Sequence, residues 1–298
     1  MPQLEVRNLS KRFGRTVAVD DLSFAVEPGR VTGFLGPNGA GKTTTMRALL
    51  GLVKPSAGEA LVEGRPAAAM REPLRTVGAA LEATAFHPGR SGRNHLRVLA
   101  ASAGIPSSRV EEVLEMVELS GDAGRRVKGY SLGMRQRLAL AAALLGEPRI
   151  LILDEPANGL DPQGMRWLRD LLREQAAGGR TVLVSSHLLS EVAQTADELI
   201  VIREGKLVAK ASLEEFTSGA ATETRVRCAD SARLAEGLSA AGASVERDDE
   251  AALLVRGRSA AQIGELALEL GIALHELTPQ RSSLEERFLE LTGEETVA

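Results

Sequence analysis

The sequence predicts an α/β fold built around a phosphate-binding loop, and three observations carry that expectation. Residues Gly36-Pro37-Asn38-Gly39-Ala40-Gly41-Lys42-Thr43 fill the pattern G-x-x-x-x-G-K-[ST], between the apolar run Val31 to Leu35 and the helix-like stretch Thr44 to Leu50. Two short apolar runs, Ile150 to Leu153 and Thr181 to Val184, fit parallel strands buried on both faces. Between them a helical pattern runs from about Pro162 to Ala177, giving the strand, helix, strand order of a parallel sheet.

The remaining elements are placed along the chain in order. Leu4 to Leu9 and Val17 to Val26 are short and rich in apolar or β-branched residues, and Glu27-Pro28-Gly29 turns them into the loop strand, so an antiparallel β-layer is expected there. Glu59 to Val62 and Thr76 to Leu81 read as strands separated by a Pro- and Ala-rich stretch. From about Gly89 to Gly146 the spacing turns helical, with Leu96, Leu99 and Ala100 on one face and Val110, Val113, Leu114 and Val117 on another, which predicts an all-helical insert over about 89–146.

Composition shifts near Ser218-Gly219-Ala220-Ala221, which divides the chain into an expected first domain, 1–217, and a second, 218–298. The second reads as strand, helix, hairpin, helix, strand: Thr224 to Cys228, Ala232 to Ala241, Ser244 to Val255, Ala260 to Leu270 and Ile272 to Leu277. That order is β-α-β-β-α-β, a small α+β accessory domain. Ser283 three residues before Glu286, with Leu284, Phe288 and Leu291 at helical spacing, predicts a capped amphipathic helix at the end.

Composition narrows the function classes. The chain has 298 residues, 44% hydrophobic and 26% charged, the profile of a globular protein able to bury a substantial core. A net charge of −4 gives no basic excess, so no nucleic-acid partner is expected. The single cysteine, Cys228, excludes an internal disulfide and reads as a small buried hydrophobe in a reducing compartment. The start Met1 to Glu5 lacks the build of a signal peptide. The longest clean apolar run, Leu138 to Leu145, falls well short of the ~18 to 20 residues that span a bilayer, so the chain is not expected to cross a membrane by itself.

The loop residues point to a nucleoside triphosphate. Gly36, Gly39 and Gly41 let backbone N–H groups turn inward at phosphate oxygens, where side chains would block approach. With Pro37, Asn38, Ala40 and the helix-opening Thr44 they form the expected nucleotide-binding set. The helix start adds unpaired amides and a positive dipole end, Lys42 reaches the β and γ phosphates, and the Thr43 hydroxyl is placed to ligate Mg²⁺. Asp154-Glu155 closes the run Ile150 to Leu153, placing two carboxylates at the carboxyl end of a parallel strand, where open α/β sheets bind ligands.

Ahead of that strand stands Gly129-Tyr130-Ser131-Leu132-Gly133-Met134-Arg135-Gln136-Arg137, followed by the helical run Leu138 to Leu145. Here the chain resembles the ATP-binding cassette (ABC) ATPases, P-loop NTPases whose signature is a Ser-x-Gly turn opening a helix and followed by Gln-Arg. Ala157-Asn158-Gly159-Leu160-Asp161-Pro162 resembles the family's loop after the acidic pair, and His187, after Ser185-Ser186, its switch histidine. Phe13, in Lys11-Arg12-Phe13-Gly14, stands where the family places a ring that stacks on adenine.

The resemblance implies ATP hydrolysis with Mg²⁺, at a site completed when Ser131 and Gly133 of a second subunit face the loop of the first. It implies that Lys42 and metal on Thr43 neutralise phosphate charge, Asp154 holds the metal through water, Glu155 orients or deprotonates the attacking water, and His187 reports γ-phosphate to the interface. Two departures stand out: Glu82 replaces the family's Gln as a contact to Mg²⁺ or water, adding negative charge beside γ-phosphate, and Leu132 and Met134 replace Gly and Gln in the signature. These variants, with the closing Leu284 to Leu291, resemble bacterial ATP-binding subunits that drive export of antibiotics, bacteriocins or related compounds. The implied partners are an integral membrane permease and a second ATPase subunit, in a homodimer or heterodimer on the cytoplasmic face of the membrane. A soluble ATP-dependent switch acting on nucleic acid or the ribosome is the alternative; such proteins usually carry two cassettes or long coiled coils, and this sequence shows neither an internal repeat nor sustained heptads.

Overall fold

The computed structural model describes residues 2–81, 86–218, 222–247 and 252–281. The chain divides into two compact units, Met1–Leu213 and Glu214–Ala298. In chain order the first holds β1 (Leu4–Phe13), β2 (Thr16–Val26), β3 (Val31–Leu35), α1 (Lys42–Leu49), β4 (Ala57–Val62), α2 (Pro73–Thr76) and β5 (Val77–Ala80). Three helices come next, α3 (Gly92–Ser102), α4 (Ser108–Met116) and α5 (Leu132–Leu144). Then come β6 (Ile150–Leu153), α6 (Pro162–Ala177), β7 (Thr181–Ser186), α7 (Leu189–Ala193), β8 (Glu198–Arg203) and β9 (Lys206–Ser212), before α8 (Leu213–Ser218) at the junction.

Two sheets share this unit. One is antiparallel in the order β2-β1-β4, and the other runs β5-β6-β7-β3-β8-β9, parallel except for the β8–β9 pair. α1 fills the space between them. Its Met46 and Leu49 are fully buried in one core with Leu4, Val6 and Phe24 of the first sheet and Phe34, Ile150 and Ile152 of the second. Burying each such side chain contributes about 1.5–3 kcal/mol. Phe24 and Phe34 meet across the two sheets with ring centroids 5.3 Å apart.

The parallel register aligns the carboxyl ends that matter. Ala80, Leu153, Val184 and Gly33 occupy one row across β5, β6, β7 and β3. Every residue of β3, β6 and β7 is buried, as their apolar runs require of strands covered on both faces. Gly36, Asp154 and His187, each the first residue beyond one of these three strands, therefore emerge at one edge of the sheet.

Several boundaries differ from expectation: β1 runs on to Phe13, β4 starts at Ala57, the last described strand spans Leu274–Arg281, and β5 starts later than expected. Thr76 closes the helical turn of α2 instead of opening a strand, because Pro73 at the start of that turn supplies a helical φ and needs no N–H partner; the strand begins at Val77.

The second unit contains β10 (Thr222–Cys228), α9 (Ser231–Ala240), β11 (Ser244–Arg247), β12 (Leu253–Arg256), α10 (Ala260–Glu269) and β13 (Leu274–Arg281). Its antiparallel sheet has the order β11-β12-β10-β13, and its core gathers Val226, Leu234, Leu238, Leu253, Val255 and Ile263. Cys228 is only half-buried at the margin of that core. The helix expected from Ser283 onward lies outside the described residues, and no helix among those described is long and apolar enough to cross a membrane.

α5 and β5 approach so closely that only glycine fits at Gly78, where a Cβ would stand 2.0 Å from the Ala143 carbonyl oxygen. Since that neighbour is backbone, Gly78→Ala is expected to destabilise the first unit by about 1–3 kcal/mol. Gly121→Ala, with nothing within 4 Å of its Cβ, is the matched control, and thermal unfolding midpoints of the two variants check the difference.

Candidate nucleotide-binding and hydrolysis site

The loop from Gly36 to Thr43 leaves the end of β3 and enters α1. Gly36 admits no Cβ, which would lie 2.4 Å from the Ile202 carbonyl oxygen, and Gly41 combines φ 106° with a Cβ position 2.5 Å from the Ala18 carbonyl oxygen. Gly39 also has positive φ, 83°. Ala40 N donates to Pro37 O at 3.1 Å, and Thr45 N makes the first helical bond, to Gly41 O at 2.9 Å. The N-terminus of α1 has no side-chain cap, so the first-turn amides of Lys42, Thr43 and Thr44 have no acceptor within the helix. Such an end suits an anion.

Lys42 brings a cation into the same concavity. Its side chain is 7% exposed, and Nζ donates to Gly36 O at 2.5 Å and Pro37 O at 3.3 Å, while standing 3.5 Å from Glu155 Oε1. The donor set therefore fits a polyphosphate: backbone N–H groups, a helix dipole and one largely desolvated ammonium.

The acidic pair is held by an interlocked set of hydrogen bonds. Asp154, 8% exposed, hangs its N–H on Ala80 O at 2.8 Å. Its Oδ2 accepts from Thr43 Oγ1 at 2.6 Å and its Oδ1 from Ser185 Oγ at 2.5 Å. A hydroxyl and a carboxylate oxygen side by side form a hard-oxygen pair suited to a divalent cation shared with phosphate. Among the described residues no group of three His, Cys, Asp or Glu side chains offers an all-protein metal cage.

Glu155 adopts φ 48°, a left-handed conformation that costs a non-glycine residue about 1–2 kcal/mol. Five contacts hold it there. Its N–H donates to Ser185 Oγ at 2.9 Å, and its carbonyl accepts from Asn158 N at 3.2 Å and Gln136 Nε2 at 3.3 Å. Its carboxylate lies between Lys42 and His187, whose Nδ1 is 2.9 Å from Oε2. The turned backbone aims a carboxylate that an extended continuation of β6 would direct elsewhere.

The structure thus joins Lys42, Thr43, Asp154, Glu155 and His187 through direct contacts. Ser131 and Gly133 serve the start of α5: Ser131 Oγ accepts from Met134 N at 3.2 Å, and a Cβ on Gly133 would meet Gly159 O at 2.9 Å. No contact among the described residues joins either of them to the phosphate loop of the same chain. Just before them, the Tyr130 hydroxyl donates to Asp122 O at 2.8 Å; burial, helped by the Asp122 charge, pushes its ionisation up and keeps it a donor. Phe13 ends β1 half-exposed, with Lys11 Nζ 4.7 Å from its ring centroid. Glu82 lies outside the described residues.

Ser185 is the organising residue that the motifs do not single out. It is fully buried and bridges both carboxylate residues, and its only sequence trace is a polar side chain interrupting the apolar strand Val182-Leu183-Val184.

A family model described as "ABC transporter" matches residues 19–158, and a second, described as a domain of unknown function, matches 222–285. An uncharacterised ABC transporter ATP-binding protein, YhcH of Bacillus subtilis, is 38% identical over 98% of this chain and 96% of its own length. The bacitracin transport ATP-binding protein BcrA of Bacillus licheniformis is 34% identical over 99% of this chain and 98% of its own. A solved ATP-binding subunit of an ABC transporter superposes with a TM-score of 0.66 at 28% identity, covering 73% of this chain and 92% of that one.

Ser185→Ala leaves the Glu155 N–H and one Asp154 oxygen without their partner. ATP turnover is expected to fall by about tenfold or more, an unsatisfied buried group costing ~1–3 kcal/mol, while ATP still binds; steady-state kinetics beside equilibrium nucleotide binding test this.

Proposed function

The chain belongs to the ATP-binding proteins of ABC transporters, and on that premise we propose that it is the ATP-hydrolysing subunit of a bacterial exporter, energising a separate membrane permease. One observation carries the reading: the contacts linking Thr43, Asp154, Ser185, Glu155 and His187 converge on the mouth of the Gly36–Thr43 loop. The matching of the whole chain to transport subunits supports it against a soluble switch acting on nucleic acid.

ATP enters with its triphosphate against the loop amides and the start of α1, and Lys42 turns from its own loop carbonyls toward the β and γ phosphate oxygens. Thr43 and, through water, Asp154 would hold Mg²⁺, which would neutralise phosphate charge. Glu155 orients a water in line with the terminal phosphorus and takes its proton, while His187 fixes the carboxylate through Oε2. Phe13 stacks on the adenine ring.

Each chain carries one loop and one Ser131-Leu132-Gly133 turn. Two subunits facing each other bring the turn of one to the nucleotide of the other, where the start of α5 adds donors and dipole to the γ-phosphate, as trans-supplied groups do in phosphoryl transfer. The permease holds this pair at the cytoplasmic face of the membrane. The likeness to the bacitracin transport subunit favours export of an antibiotic, peptide or drug-like compound.

Glu155→Gln is expected to keep Mg-ATP binding, to lose turnover by at least about 10²-fold through loss of the base, and to form an ATP-dependent dimer. A variant that stays monomeric by size exclusion with ATP contradicts the shared site. Lys42→Ala is expected to lose ATP affinity; unchanged equilibrium binding contradicts the cradle.

A further inference from the structure

The assigned roles leave Gln136 unused, although it is buried among apolar neighbours on α5 at 4% exposure. Its Nε2 donates to the carbonyl oxygen of Glu155 at 3.3 Å. The peptide units on both sides of the Glu155 Cα are thereby held from two elements: the N–H by Ser185 at the end of β7, and the C=O by Gln136 on α5 together with Asn158 in the adjoining turn. Because Glu155 has φ 48°, rotation of either peptide swings the carboxylate that meets Lys42 and His187.

The first turn of α5 is also packed directly on the turn after Glu155. A Cβ on Gly133 would stand 2.9 Å from Gly159 O, and one on Gly159 would stand 2.5 Å from the Leu132 side chain. One face of α5 therefore carries Gly133 against this turn, and one helical turn later Gln136 grips the residue that opens it.

We propose that Gln136 is a positioning residue for Glu155, setting the carboxylate's direction through its peptide carbonyl and tying that direction to the placement of the Ser131 end of α5. The inference rests on the reading of Glu155 as the group that orients and deprotonates water. In the paired arrangement it has a consequence: the α5 start that grips a partner's nucleotide is fastened, within its own chain, to the carboxylate of the other site. Occupancy of one site then biases the geometry of the second through one buried hydrogen bond.

The test uses the full-length chain with Gln136→Met, which keeps length and apolar bulk but removes the donor, and Gln136→Glu, which keeps shape and replaces the donor by an acceptor. Both are expected to lower kcat by about tenfold or more, since small misplacement of a reacting group is costly, with the KM for ATP within about threefold of the parent. The Hill coefficient for ATP is expected to drop toward one. The double variant with Ser185→Ala is expected to lose less than the product of the two single losses, because both act on the same residue. A kcat within about twofold of the parent, or kcat and ATP affinity falling together, overturns the proposal.

Should the variants fail to fold, the Gln136 side-chain amide in the parent chain decides. Slow solvent exchange of its N–H protons by NMR supports the bond, and exchange at the rate of a free amide overturns it. Glu155→Gln run in parallel separates the two readings. Turnover retained there removes the role of Glu155 itself, whereas normal turnover in Gln136→Met beside an inactive Glu155→Gln removes only the role given to Gln136.

Discussion

The site depends on Asp154 being a buried carboxylate with both oxygens occupied by hydroxyl donors. An isolated charge at that depth would cost several kcal/mol, and the protein offsets this with Thr43 on one oxygen and Ser185 on the other. Those donors come from different elements, α1 and β7, while Asp154 itself comes directly after β6 and hangs from β5 through Ala80. One side chain thus locks the helix that carries the phosphate loop to three adjacent strands.

Glu155 answers a different demand. Where Asp154 is fixed by its side chain, Glu155 is fixed by its backbone, and its carboxylate is left between Lys42 and His187 with room to exchange partners. The left-handed conformation at 155 is a strain of ~1–2 kcal/mol, offset by the bonds on both sides of the residue. Two neighbouring carboxylates are thereby held differently, one by its own oxygens and the other by its peptide groups, in keeping with the metal-holding and water-handling roles proposed for them.

Much of this is legible in the sequence because it is written locally. The glycine spacing from Gly36 to Thr43, the apolar runs ahead of Asp154 and His187, and the Ser131 cap of α5 each rest on residues close together in the chain, eight at most. What the sequence conceals is adjacency. β3 is succeeded in the chain by β4, yet β4 joins the other sheet and β3 lies between β7 and β8. Ser185 therefore shows only as a serine in an apolar strand until the order places β7 beside β6, and the grip of Gln136 on Glu155 spans nineteen positions. Thr76 reads as strand in the sequence because it is β-branched and runs into Val77, while the helical turn that claims it is imposed by Pro73.

α5 is attached to the α/β core at both ends by contacts that tolerate no side chain: Gly133 on Gly159 at its start, and Ala143 on Gly78 near its end. Arg137, midway, donates to Val117 O at 3.0 Å, pairs with Glu118 at 2.7 Å and lies over the Trp167 ring of α6 at 4.2 Å. The helix is thus packed into the core at both ends, and α4 lies against it. In this geometry the start of α5 and the turn after Glu155 form one packed unit, because a side chain fits neither at Gly133 nor at Gly159.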